Sequence, residues 1–517
     1  MSWLLENKLN KIIFFAVAIL FFLPALIGLF HSGFFLSDDG NWMVIRFSAF
    51  YEALRGGQFP VRFLPRLNNG YGYPVSDFLY PFFMYIGTPI KALGFSFVDT
   101  IKIIFWGSLI GSFIFTYLWL KKLFDQIPSL IGALAYTIFP YHLWDIYKRG
   151  SIGEALAFSI VPFILWFMEK RNLPLSSIGY GLLILSHNTL ALLFLPVLFI
   201  YNLISYNKFD KVSFLNSITA LILGLGLSVF FWFPAFYDRQ FTVFSQTKIS
   251  DFSRYFITEE NLSLYGFIFI FVILVSLYLL LNKINKKVLF FLAIVLISFF
   301  FTISKSKIIW EYSFFPQLVQ FPFRFISVSV LSSSFLIAFF INQLRGKPLF
   351  IWTFIVLVLI SISAWGYLFP KNYQYFPDSF YSTNQDTTTV KNEYMPKWVK
   401  GYLKSYDKKT EIIKGDGEIK DMKVSGTNIS FEAILNRESL IQINSVYFPG
   451  WKVSEKGEDK EILYEQNGLI RFDLPTGSHS IKASFGETKV RLISDFISAF
   501  SLFFLLFIFI RKKTIKI

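Results

Sequence analysis

The chain has 517 residues, 54% of them hydrophobic, a mean hydropathy of +0.52 and a formal net charge of +15. That balance excludes a soluble globular protein, and the absence of cysteine excludes disulfides and thiolate metal sites. The positive charge lies in short clusters between apolar runs, the pattern of cytoplasmic loops and not of a nucleic-acid surface.

Apolar runs of roughly 20 residues recur down the chain, each long enough to cross about 30 Å of hydrocarbon. The first, Lys11 to Phe30, has too long an apolar core for a cleaved signal and no small-x-small site before Phe34 and Phe35. Lys8 and Lys11 place the N-terminus in the cytoplasm. A long outer loop over 32–96 follows, holding Asp38 and Asp39 and an aromatic stretch from Tyr71 to Phe82. The run Phe78 to Ile90 reads as an interfacial or re-entrant helix, because counting it as a span inverts everything downstream.

The next spans are read near Ile101–Leu120, Pro128–Pro140 and Ile152–Met168. Leu173 to Tyr201 reads as two short spans meeting near Ser186, His187 and Asn188, with one long tilted span as the competing reading. Leu215–Pro234, Leu262–Leu281, Val288–Ile303, Phe325–Ile341, Leu349–Leu368 and Ile493–Ile510 complete the set. About twelve spans put Lys121, Lys208, Lys283, Lys286, Arg345 and Arg511 on one side, with both termini in the cytoplasm.

Between the last two spans, Ser439–Tyr447, Leu469–Leu474 and Ser478–Phe485 alternate apolar and polar residues, punctuated by Pro449-Gly450 and Asn467-Gly468. Period-two patterning between turn signals predicts a small extracytoplasmic β-sandwich. Three parts result: a multi-span membrane domain over 1–369, a mostly β domain over 370–492, and a final span with a basic tail over 493–517.

Several motifs carry a resemblance. They are Leu36-Ser-Asp-Asp-Gly40, Leu54-Arg-Gly-Gly-Gln-Phe-Pro60, Gly70-Tyr-Gly-Tyr-Pro74, Tyr147-Lys-Arg-Gly-Ser-Ile-Gly-Glu-Ala155 and Leu185-Ser-His-Asn188. Gln320 to Phe325, Asn392 to Lys397 and Tyr447 to Lys452 follow. Together they resemble bacterial and archaeal membrane proteins with the 6-pyruvoyl-tetrahydropterin synthase-related domain. Pterin chemistry itself needs a histidine triad that the four histidines here do not supply. The architecture is instead similar to the C-type glycosyltransferase superfold. That resemblance implies a membrane glycosyltransferase of the cytoplasmic membrane. It would move a sugar from a polyprenyl-phosphate carrier to an envelope glycan, lipid or protein, with inversion. A transporter or flippase of lipid-linked intermediates and a non-catalytic envelope assembly protein are the alternatives.

Such transfer needs a base for the acceptor hydroxyl and stabilisation of the leaving phosphate. Asp38 or Asp39 is the expected base, or the ligand of a Mg2+ or Mn2+ ion, and the plainer reading is an N-cap for the helix after Gly40. Arg149 and Arg324, at outer ends of spans, are expected on the phosphate, with snorkelling or interface anchoring as the plainer account. Glu154, an acid within a span, is expected to orient Arg149 or serve as a second carboxylate. His187 and Asn188 are expected on phosphate or sugar, and His142, Asp145, Glu311 and Glu393 are weaker candidates.

Overall fold

The computed structural model describes residues 16–205, 211–245, 251–282, 285–389 and 391–514. Among them six helices are long and apolar enough to cross a membrane: Phe97–Leu120, Ile152–Glu169, Asn188–Ser205, Pro322–Asn342, Lys347–Tyr367 and Lys489–Arg511. Two bent pairs raise this to eight. Phe214–Leu227 with Val229–Phe241 bends by 62°, and Lys286–Thr302 with Ser304–Tyr312 by 82°. The protein is a polytopic α-helical membrane protein with a β region before its last helix.

The runs that fall short of a crossing do so for local reasons. The Pro128–Pro140 run forms a helix only over Gln126–Thr137, and Pro140 then opens a separate short turn, since proline starts helices well and continues them badly. Leu173–Tyr201 breaks at His187, whose backbone is extended, giving helices Leu173–Ser186 and Asn188–Ser205. Phe78–Ile90 supplies the 11-residue helix Phe82–Ala92, too short to cross. Lys8 and Lys11, and also Lys208 and Lys283, lie outside the described residues.

Two helices form the interior of the bundle. Ile152–Glu169 is 83% buried over its apolar window and Pro322–Asn342 is 94% buried, whereas Lys489–Arg511 is only 17% buried and offers its Phe and Leu side chains to lipid. Glu154 and Arg324 therefore sit on the two most enclosed helices.

The β region contains two antiparallel sheets. One has the order β4-β5-β10-β7-β8, with β4 Gly417–Ser425, β5 Asn428–Leu435, β7 Trp451–Glu455, β8 Glu458–Lys460 and β10 Gly477–Phe485. The other is β3-β6-β9, with β3 Thr410–Lys414, β6 Ser439–Val446 and β9 Leu469–Leu474. β5 alternates buried and exposed positions as half-buried strands do. β6 departs from alternation and is buried on both faces, because it also packs on the first outer loop, where the Val446 N–H donates to Tyr71 O at 2.8 Å.

The sandwich core is not self-contained. Phe63 and Phe78 of the first outer loop pack in it with Phe431, Phe448, Trp451 and Ile481. A buried ionic knot fixes the same junction. Arg62 reaches Asp495 at 2.9 Å, Glu487 at 3.3 Å and Asp77 at 3.6 Å, and Arg491 reaches Asp238 at 2.8 Å and Asp77 at 3.5 Å. A shorter β pair, Phe34–Phe35 with Tyr373–Gln374, ties the start of the loop to the chain after Lys347–Tyr367.

Lys409 adds a third tie. Its ammonium donates to Gly70 O and Asn444 O, each at 2.7 Å, and to the Tyr406 hydroxyl at 3.2 Å, with no carboxylate partner among the described residues. Burial pushes its pKa down to about 8. Between about pH 8 and its ordinary value of 10.5 the unfolded chain holds a proton that the folded chain has lost, so stability rises with pH through that window. The expected rise is at most about 3 kcal/mol. Thermal unfolding of the full chain across that window checks it, and Lys409→Met is expected to remove the rise; parallel curves for both proteins would refute the assignment.

Candidate active site

The two aspartates are placed by backbone geometry. The Asp38 and Asp39 N–H groups donate to Lys148 O at 2.9 Å and Arg149 O at 2.8 Å. Next to them Gly150 ends a five-residue π-helical turn, Asp145–Arg149, in the left-handed conformation with φ +70. A Cβ on Gly150 would stand 2.7 Å from both the Gly40 N and the Ser37 Oγ. Only glycine fits there, for conformation and for space.

Gly150→Ala is accordingly expected to cost more than about 2 kcal/mol and to displace Asp39. Gly57→Ala is its control, having φ +90 but nothing within 4 Å, with an expected cost of about 1 kcal/mol. Thermal unfolding of both variants separates the two; equal losses would remove the packing argument.

The side chains of the pair diverge. Asp38 is exposed and pairs with the Lys148 ammonium at 3.0 Å, out in solvent. Asp39 is half-buried, and although it occupies the N-cap of Gly40–Arg55, its carboxylate makes no capping hydrogen bond. It lies instead within the electrostatic reach of Arg149 and of the buried Tyr80 phenol. Among the described residues no three His, Asp or Glu side chains converge to hold a metal, and the neighbours of this pair are Lys148 and Arg149. That donor set suits an anion better than a divalent cation, so no step here is routed through Mg2+ or Mn2+.

Beneath the aspartates is a buried quartet of charges. The Glu154 Oε1 accepts from Arg149 Nη1 at 2.6 Å and from Arg324 Nε at 2.9 Å. Tyr141 OH donates to its other oxygen at 3.0 Å. Arg149 Nη1 also reaches Asp145 Oδ1 at 2.5 Å, a contact the π turn creates by bringing the two ends of the segment together. Asp145 and Glu154 are fully buried. Burial and then the neighbouring Glu154 push the Asp145 carboxyl up, against the pull of Arg149. Arg324 is held further by Val319 O at 2.9 Å, Gln320 Oε1 at 3.0 Å and Thr189 Oγ1 at 3.3 Å. The His187 Nε2 is 3.6 Å from Glu154 Oε1.

The structure thus gathers Arg149, Glu154, Arg324, Asp145 and His187, and places Asp39 over them. Each of the two arginines expected on the phosphate faces a carboxylate here. The remaining candidates separate from the quartet. His142 is buried and stacked on Phe158 at 4.1 Å, Asn188 donates to Phe78 O at 3.2 Å, and Glu311 forms a surface pair with Lys307 at 3.6 Å. Glu393 works through its backbone carbonyl, which accepts from Phe244 N at 2.7 Å, while its charge bears on Tyr394.

Three residues at the site have no sequence signal of their own kind. Tyr80 lies in the fields of Arg46, Asp39, Glu154 and Arg324, and Tyr394 in those of Arg46, Glu393 and Arg324. Gly153 makes room for the first, since a Cβ there would stand 2.3 Å from the Tyr80 ring. Arg46 is the third. In a chain with 26 tyrosines and many basic residues none of them stands out, although Arg46 follows Asp39 by seven positions, which is one helix face.

A cavity of about 900 Å3 borders the site. Trp144, Tyr147, Lys148, Phe267, Ile362 and Lys371 are among the residues that line it. It shares Lys148 with Asp38, and Trp144 with Arg149, whose guanidinium lies 5.7 Å from that ring.

No protein-family profile and no curated protein sequence matches the chain. Among solved structures it is similar to the arabinofuranosyltransferase AftD from Mycobacteria, at 14% identity and a TM-score of 0.47, over 71% of this chain and 27% of that one. It is also similar to the Archaeoglobus fulgidus oligosaccharyltransferase in its apo form, at 13% identity and a TM-score of 0.44, over 76% of this chain and 57% of the other. The complex of the archaeal enzyme AglB with an inhibitory peptide and a dolichol-phosphate aligns at 14% identity with a TM-score of 0.40, over 74% of this chain. The chain thus spans about a quarter of the mycobacterial protein and just over half of the archaeal one.

Proposed function

We propose that this protein is a membrane glycosyltransferase that moves a sugar from a polyprenyl-phosphate carrier to an envelope acceptor on the outer face. The observation that carries the reading is Asp39: a half-buried carboxylate without a hydrogen-bond partner among the described residues, fixed by its backbone above a buried arginine–glutamate quartet. Beside it lies an apolar cavity rimmed by Lys148 and Lys371, of a size and character suited to part of a lipid carrier.

In this reading the Asp39 carboxylate takes the proton of the acceptor hydroxyl as that oxygen bonds to the anomeric carbon. The bond from that carbon to the carrier phosphate breaks, and the polyprenyl phosphate leaves with the electron pair. One displacement inverts the anomeric carbon and needs no covalent nucleophile. The quartet serves as a rigid floor: Glu154 and Asp145 hold Arg149 and Arg324 in fixed orientation, which preserves the field without rearrangement during reaction. Arg149 and Arg324 in this scheme act on the donor through that field.

The reading includes membership of the family that the motifs resemble and a cytoplasmic-membrane location. It also includes twelve crossings with both termini cytoplasmic, and the division at 369 and 492 into membrane domain, outer β domain and final span. The test is release or transfer of labelled sugar from a panel of polyprenyl-phosphate sugars by the purified full chain. Turnover by the wild type that Asp39→Asn abolishes in a folded protein supports it; turnover that survives the substitution overturns the assignment of the base.

A further inference from the structure

Five arginines are buried among the described residues: Arg46, Arg62, Arg149, Arg324 and Arg491. Four have a carboxylate within 4.0 Å. Arg46 alone has none among the described residues. A buried guanidinium without a counter-charge is costly in the resting protein, and the cost is relieved if an anion arrives.

Its orientation is fixed with some care. Arg46 Nε donates to Thr388 Oγ1 at 2.9 Å, Nη2 donates to the Thr388 carbonyl, and Nη1 makes a weak contact to Met43 Sδ at 3.4 Å. Those use three of the five N–H groups of the fork and leave two without an acceptor among the described residues. Thr388 itself is buried at φ +62, a left-handed conformation that a β-branched residue adopts only when its surroundings impose it. Backbone outliers of this kind gather where a ligand is gripped. Here the outlier turns both the hydroxyl and the carbonyl of one residue towards one guanidinium.

Arg46 lies within electrostatic reach of the site. Its charge acts on Tyr80 and Tyr394, the phenols that also feel Arg324, Glu154, Asp39 and Glu393. Glu393 makes no ion pair with it. Arg149 and Arg324, by contrast, face Glu154 directly.

We propose that Arg46, presented by Thr388, is the anion-binding cation of this site and takes the phosphate group of a phosphate-ester ligand on its two open N–H groups. Phosphate is the chemistry a planar fork fits best, through paired charge-assisted hydrogen bonds. The phosphate of a lipid carrier and a free phosphate share that chemistry. The carrier assignment rests on the proposed function, whereas the anion site stands without it.

The experiment is binding to the full chain in detergent micelles, by calorimetry and by ligand-induced thermal shift. The probes are a short-chain polyprenyl phosphate, the matching polyprenol and inorganic phosphate. The expected result is that Arg46→Gln weakens the lipid phosphate at least about tenfold and leaves the polyprenol unchanged. Arg46→Lys, which keeps the charge and loses the fork, is expected to fall between them and carries the test if the glutamine variant does not fold. The ligand-free melting temperature of Arg46→Gln is expected to stay within a few degrees of wild type, because no carboxylate is stranded; a purely structural arginine would lower it.

Inorganic phosphate binding as tightly as the lipid marks a site for a small anion, and weaker binding marks a headgroup site; both support the proposal. Wild type that binds no phosphate, or variants that bind it as wild type does, overturn it. Sugar transfer by a protein whose phosphate binding does not depend on Arg46 sinks this inference and spares the proposed function. Phosphate binding that depends on Arg46 in a protein that transfers no sugar does the reverse.

Discussion

Glu154→Ala is expected to prevent the protein from accumulating in folded form. The substitution leaves Arg149 and Arg324 buried with Asp145 as their one remaining carboxylate. Removing one partner from a buried ion pair costs about 3–5 kcal/mol, because the charge left behind has neither water nor a counter-ion. Glu154 serves two arginines, so the upper end applies, against a total stability of about 5–15 kcal/mol. The loss extends to the helix pairing, since the bond from Arg324 Nε to Glu154 Oε1 joins the two most enclosed spans. Size-exclusion profiles and thermal unfolding of the detergent-purified protein check this. The double variant Glu154→Met with Arg324→Met is expected to recover part of the loss, by replacing a pair of charges with packed side chains. A Glu154→Ala protein that melts within a degree or two of wild type would show that the quartet is held by something other than its charges.

The two aspartates are expected to separate cleanly. Asp39→Asn lowers sugar transfer by about 10^2- to 10^4-fold, the contribution of a positioned general base, with little change in folded yield. Asn keeps the shape of the side chain, and the backbone bonds that place it, Asp38 N to Lys148 O and Asp39 N to Arg149 O, do not involve the carboxylates. Asp38→Asn changes transfer by less than about threefold, since exposed ion pairs such as Asp38 with Lys148 are worth about 1 kcal/mol or less. Transfer rates for the two variants, measured with one donor and matched folded protein, decide the matter. Equal losses would move the base away from Asp39 alone and reopen the role of the pair.

The sequence left open which of Asp38 and Asp39 acts, because adjacency hides the difference between them. Consecutive residues at the entrance to a helix point in different directions, so one carboxylate reaches Lys148 in solvent while the other is carried inward over Arg149. The partners of Arg149 and Arg324 are hidden in a similar way. A basic residue at a helix end looks available until its partner is known, and the partner of Arg324 lies 170 positions earlier in the chain. Arg46 drew no attention for the opposite reason: its isolation is a property of what surrounds it, and Thr388, which orients it, is 342 positions away.

The sequence by itself determined what depends on local pattern. Hydropathy over about 20 residues marked the long helices, period-two alternation marked β6, β9 and β10, and the polar break at Ser186, His187 and Asn188 marked a helix junction that the structure places at His187. It also marked Tyr147 to Ala155, the stretch that holds Arg149 and Glu154, as one motif. Only the tertiary structure decided which charges meet. It placed Phe63 and Phe78 in the core of the sandwich, closed the knot of Arg62 and Arg491 with Asp77, and set Glu154 between two arginines. Burial of apolar surface is read from composition along a helix or strand, because the solvent it avoids is the same everywhere. Neutralisation of a buried charge depends on a partner within about 4 Å, which packing of distant segments selects and no local pattern records.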